Sequence, residues 1–199
     1  MQYRRKCFRD GTLNRKRRLR IEGLENRQLL AVVAQATTDA NALRDAILGD
    51  NVQAIGNAAL YSGSTSAGVF TGGGNSIGIE SGIVLSTGDV EDVEGPNTED
   101  LSSGVSTNVG YEPLDELFGV QTADSTVLEF DFELTDDEFT LRYVFASEEY
   151  NQFVNTTYAD VFGVFLDGEI LSLVPGTSTP VSVNTVNAGN PVGTGGPNS

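Results

Sequence analysis

The sequence predicts an all-β chain, an antiparallel β-sandwich of jelly-roll type with one short N-terminal helix. Three observations predict it. Residues 126–134 (TVLEFDFEL) alternate, with Leu128, Phe130, Phe132 and Leu134 on one side and Glu129, Asp131 and Glu133 on the other. That period of two is the mark of a strand with one wet face on an antiparallel sheet. Asp167-Gly168 joins two apolar runs, and both positions of that pair tolerate the positive φ that a two-residue hairpin turn needs. The short β-branched and aromatic runs follow one another without the strand–helix–strand rhythm of a parallel sheet.

Taken in order, residues 1–36 read as a basic export leader, cleaved or disordered. Ten of the 12 Lys and Arg residues lie between Arg4 and Arg27 with only Asp10, Glu22 and Glu25 among them, a net of +7. The apolar run Leu29-Leu30-Ala31-Val32-Val33-Ala34 follows, and Ala34-Gln35-Ala36 has the small-x-small form of a cleavage site, which places cleavage near Ala36. The run is shorter than an ordinary secretory core. The stretch RRLRIEGLENRQLLAV resembles the extended leader carried by large exported proteins of some bacterial groups.

Residues 37–188 form the folded body. Residues 39–48 (DANALRDAIL) place Ala42, Leu43, Ala46 and Ile47 on one helical stripe, with Asp or Thr to cap the start and Gly49 to stop it. Residues 81–88 (SGIVLSTG) make a short glycine-bounded strand. Residues 88–123 form a long acidic loop holding one short helix at 112–118, with Pro113 in its first turn and Gly119 at its end. After the strand at 126–134, the turn Asp136-Asp137-Glu138 leads to a strand at 140–147 (TLRYVFAS). Further strands are expected at 160–166, 169–174 and 180–186. Eight of the ten Phe residues lie between Phe118 and Phe165, so the core is expected there. The tail, 189–199, reads as a flexible Gly/Pro/Asn linker or a truncated remainder.

Charge and composition exclude whole classes of function. Residues 28–199 carry 25 acids against Arg44 and Arg142 alone, a net of −23. Nucleic-acid binding needs clustered cations on phosphate, so the body is not built for it. The chain has no His and no Trp, one Cys at position 7, and no Lys beyond Lys16. That removes the His or Cys bases of nucleophilic catalysis, Ser–Lys variants, most zinc sites and any intrachain disulfide. No run approaches 18 apolar residues, so no transmembrane helix is expected.

Glu148, Glu149 and Asp160 are the candidate site residues. On a strand from Leu141, Glu149 continues the row of Leu141, Tyr143, Phe145 and Ser147, whereas Glu148 shares the other face with Arg142. A carboxylate at a core rim needs a partner. One solution is protein hydrogen bonding: Glu148 to Arg142, with Glu149 and Asp160 on backbone amides. The other is a Ca²⁺ site, since that ion takes six to eight oxygens. Asp89, Glu91, Asp92, Glu94, Asn97, Glu99 and Asp100 form a second acidic cluster, read as a solvated loop. Two carboxylates also meet the formal minimum of a glycoside hydrolase, without a Trp platform or cleft-forming insertions.

In order along the chain, IGIESGIVLSTGDV, GPNT, YEPLDELFG, DSTVLEFDFEL, LRYVFASEEYNQFVNTTYADVFGVFLDG and LVPGTSTPVSVNTVNAG resemble the choice-of-anchor L domain over residues 40–190. The resemblance implies export and display at a bacterial surface, extracellular or cell-bound, in a non-enzymatic adhesion or binding role. The implied partner is an extracellular protein or glycan. A carbohydrate-binding module is the alternative reading, with a glycoside hydrolase fragment behind it. The family's closing motif does not occur before Ser199, which implies absent C-terminal strands and self-association through an open sheet edge.

Overall fold

The computed structural model describes residues 32–94, 107, 109–150, 152–156 and 158–189. Its elements run β1 (Val33–Ala36), α1 (Ala40–Ile47), β2 (Val52–Tyr61), β3 (Ala67–Thr71), β4 (Ser81–Leu85), α2 (Glu112–Phe118), β5 (Val127–Leu134), β6 (Phe165–Leu166) and β7 (Glu169–Ile170). The strands form a three-stranded sheet of order β1-β3-β4 and two ribbons, β2-β5 and β6-β7. Every pairing is antiparallel. Among the described residues the molecule is thus mostly strand in antiparallel sheets, with two short α-helices.

Local chemistry explains where these elements start and stop. Asp39 caps α1, its Oδ1 accepting from the amides of Asn41 (3.0 Å) and Ala42 (3.1 Å). Leu43 on its inner face is fully buried, a contribution of about 1.5–3 kcal/mol. The helix contacts β2, β3, β4 and β5, so it joins the two larger sheets. Pro113 opens α2, and Gly119 ends it in the left-handed region at φ 67°. At the β6-β7 turn Asp167 (φ 51°) and Gly168 (φ 83°) both take positive φ, the signature of the two-residue hairpin.

The strand β5 carries the alternation seen in the sequence, with Leu128, Phe130 and Phe132 half-buried and Glu129, Asp131 and Glu133 exposed. Its partner is β2, from Val52↔Leu134 to Tyr61↔Val127, with a bulge between Ile55 and Ala59.

Residues 33–36, at the end of the stretch read as a leader, form β1 inside the three-stranded sheet. Three expectations are corrected. Residues 140–147 form no strand, because no ladder partner lies beside them among the described residues. Residues 180–186 reduce to isolated bridges, Leu173↔Pro180 and Val161↔Ser182, followed by a turn. The core is not the Phe-rich stretch. Among the described residues, the buried apolar side chains come from Ala34, Leu43, Ala67, Phe70 and Val90 early in the chain and from Val154, Val174, Val181 and Val183 late in it. The Phe residues from 118 to 165 are half-buried, and most of them pair ring to ring instead, as Phe132 does with Phe139 at 5.5 Å.

Candidate functional site

The segment after β5 passes through Ser147, Glu149 and Tyr150 and meets the chain again at Asp160. Ser147 Oγ donates to Asp160 Oδ2 at 2.6 Å and accepts from the Glu149 amide at 3.0 Å. Glu149 Oε2 accepts from the Asp160 amide at 3.0 Å. The two acids are therefore locked together reciprocally, each held by a group beside the other. The Asp160 carbonyl accepts from the Val183 amide at 3.0 Å, and the Tyr150 hydroxyl donates to the Val186 carbonyl. These contacts tie the turn at 147–150 to the buried segment around Val183.

Partial burial raises the Glu149 pKa first, and the Asp160 charge adds to it; the Asp160 amide works the other way. Burial and Asp160 also raise Tyr150. The body's cations lie elsewhere. Arg44 pairs with Asp45 at 2.7 Å and donates to the Gly56 carbonyl, while Arg142 donates to the Gly78 carbonyl at 2.9 Å.

Of the three sequence-predicted residues, the structure brings Glu149 and Asp160 together. No group of three or more His, Cys, Asp or Glu placed to hold a metal ion occurs among the described residues, and Glu148 thus does not complete such a set with them. In the second acidic cluster, Asp89 Oδ1 accepts from the Glu91 amide at 3.0 Å in a short 3-10 turn. Glu94 Oε1 accepts from the Ala34 amide at 2.8 Å. Asn97, Glu99 and Asp100 lie outside the described residues.

The segment expected to form a strand at 140–147 lines an exposed surface instead. Ile77, Ile79, Leu141, Arg142, Tyr143 and Val144 line a depression of about 300 Å³. Leu141, Tyr143 and Val144 remain 43%, 39% and 50% exposed. Tyr143 and Phe145 both lie on Phe162, at 5.0 and 6.1 Å between ring centres, so the i, i+2 row read from the sequence does share a side.

A second polar knot surrounds α2. Asp115 Oδ1 accepts from both the amide and the hydroxyl of Thr122 (2.7 and 2.6 Å), and these bonds lower its pKa. Tyr111 donates its hydroxyl to Glu129 on β5 at 2.8 Å; burial and that carboxylate push its pKa up to about 12.

The comparisons with known proteins point outside the cell. The model of the choice-of-anchor L domain matches residues 31–199, and the model described as "Planctomycete extracellular" matches residues 15–34. Neither a curated protein nor a solved structure matches the chain. With the first match spanning most of its length, the chain belongs to the choice-of-anchor L domain family and is an extracellular or cell-surface protein.

Proposed function

We propose that the protein is a non-enzymatic surface module that binds an extracellular protein through the depression at Leu141–Val144. The observation that carries this reading is the exposure of Leu141, Tyr143 and Val144, which line one depression with Ile77 and have no strand partner among the described residues. A contiguous apolar patch costs solubility and is kept where another surface covers it. A backbone without a ladder partner also supplies donors and acceptors for strand addition. A second copy of the chain is one such partner, and the Arg142 charge in the depression favours an acidic one.

The Glu149–Asp160 pair fits a structural role in this reading. Its oxygens are engaged by Ser147 and by the Asp160 amide, and the latch holds the turn that follows the binding segment. The pair supplies two of the six to eight oxygens that Ca²⁺ takes, so a bound ion would need further oxygens from carbonyls or water.

Val144→Glu in the full chain tests the binding surface. It places a charge in the patch without removing a buried side chain. Sedimentation velocity at tens of micromolar should show association for the parent and a monomer for the variant, with equal melting temperatures. A parent that stays monomeric, and that captures no protein from isolated cell envelopes differently from the variant, refutes the surface. Retention of the parent on a glycan array, equally with the variant, would move the reading to carbohydrate.

A further inference from the structure

The letters that read as a cleavage site have a second explanation in the fold. In β1, Ala34 and Ala36 point inward and Val33 and Gln35 outward; Ala34 is 7% exposed, while Val33 is 57% exposed. The small-x-small pattern is therefore the inner row of a strand. The space allotted to that row is narrow. Gly68 on β3 pairs with Ala36, and a Cβ at Gly68 would stand 2.5 Å from the Gln35 carbonyl oxygen and 3.0 Å from Val90. The sheet is shaped for the backbone of β1 to lie close against it.

Both edges of β1 are engaged. The Thr37 amide donates to the Ala67 carbonyl at 2.9 Å on the β3 side. The Ala34 amide points the other way and donates to Glu94 Oε1 at 2.8 Å. Glu94 thus covers the edge that would otherwise be open, which is why an acid from the loop at 90–94 sits there. Removing β1 would bare Ala67 and Phe70, which are 0% and 6% exposed. The two family matches overlap at residues 31–34, where leader-like sequence runs directly into the domain.

We infer that the Ala36–Thr37 bond stays intact in the exported protein, and that any removal of the leader ends before Val33. The last residues of the leader's apolar run then serve twice: in the nascent chain as part of the export signal, and in the mature domain as its first strand. Ala31 is the nearest small residue upstream of Val33. This inference rests on the surface-protein reading for the leader, but its evidence is the packing of β1.

The test is the N-terminus of the full-length gene product recovered from outside an exporting bacterial cell, read by intact mass and N-terminal peptide sequencing. A first residue at Val33 or earlier, uncut Met1 included, supports the inference. A first residue at Ala34 or later overturns it while leaving export untouched. Failure of the protein to leave the cell counts against the surface-protein reading alone, and hydrogen exchange on the purified full chain then decides β1. The Ala34 and Thr37 amides should exchange about 100-fold or more slower than free peptide amides if β1 is docked. Exchange at the free rate overturns the inference.

Discussion

Glu149 sits under two opposing demands. Its carboxylate must accept the Asp160 amide, yet the Asp160 charge and partial burial both disfavour its ionised form. The folded state therefore holds the Glu149 proton more tightly than the unfolded chain does. A group of this kind stabilises the fold fully at low pH and loses that contribution as pH rises from the ordinary carboxyl range through the raised folded value. Glu149→Gln keeps an oxygen for the Asp160 amide and removes the repulsion. We expect its melting temperature at pH 7 to equal or exceed the parent's, with the advantage gone by about pH 4, where an ordinary carboxyl is half protonated. Glu149→Ala removes the acceptor as well and should cost about 1–3 kcal/mol. Thermal melts across pH 4–7 check both, and a Gln variant less stable than Ala refutes the account. Asp115 has the opposite sign. Its bonds to Thr122 lower its pKa, so its contribution is present above the ordinary value and is lost on acidification.

Short elements here depend on single backbone positions. The β6-β7 hairpin has only two residues per strand, and its turn needs Gly168 at φ 83°. A β-branched residue cannot take that conformation cheaply. Gly168→Val should lower stability by roughly 1–3 kcal/mol, measured as a shift in the urea midpoint at unchanged slope. An unshifted midpoint would mean the hairpin contributes nothing to the cooperative unit. This turn was legible in the sequence because Asp-Gly is a local signal, and so were the Pro113 and Gly119 boundaries of α2 and the alternation of β5. Strand β2 was not. Val52–Tyr61 mixes Ala, Gly and Asn into its row, and only its ladder with β5 makes it a strand. The reverse error occurred at 140–147, where strong β-formers run unpaired, because propensity describes a residue and pairing requires a second segment. At the site, the partnership of Glu149 and Asp160 was visible as two acids that each needed a partner. That the amide serving Glu149 would be that of Asp160, and that Asp160 would take the Ser147 hydroxyl instead of an amide, was not, since the fold decides which donors lie within reach.

At the scale of the whole molecule, charge is the dominant unpaired quantity. Residues 28–199 carry a net of −23, and Arg44 and Arg142 are their only cations. Like charges spread over a small body repel one another, and the compact state holds them closer than the unfolded chain does. Salt shortens the range of that repulsion, to about 10 Å at 0.1 M. The melting temperature should therefore rise from 10 mM to 0.3 M NaCl by roughly 2–4 °C, equivalent to about 1 kcal/mol for a chain of this size. The same experiment separates screening from chelation. At matched ionic strength, CaCl₂ must add a further increment, reversed by EDTA, if carboxylates such as Glu149 and Asp160 complete a site with other oxygens. Curves that coincide at matched ionic strength retire calcium and leave screening as the sole effect of cations. A melting temperature flat across the NaCl series would show instead that the acids are spaced widely enough for water alone to quiet them.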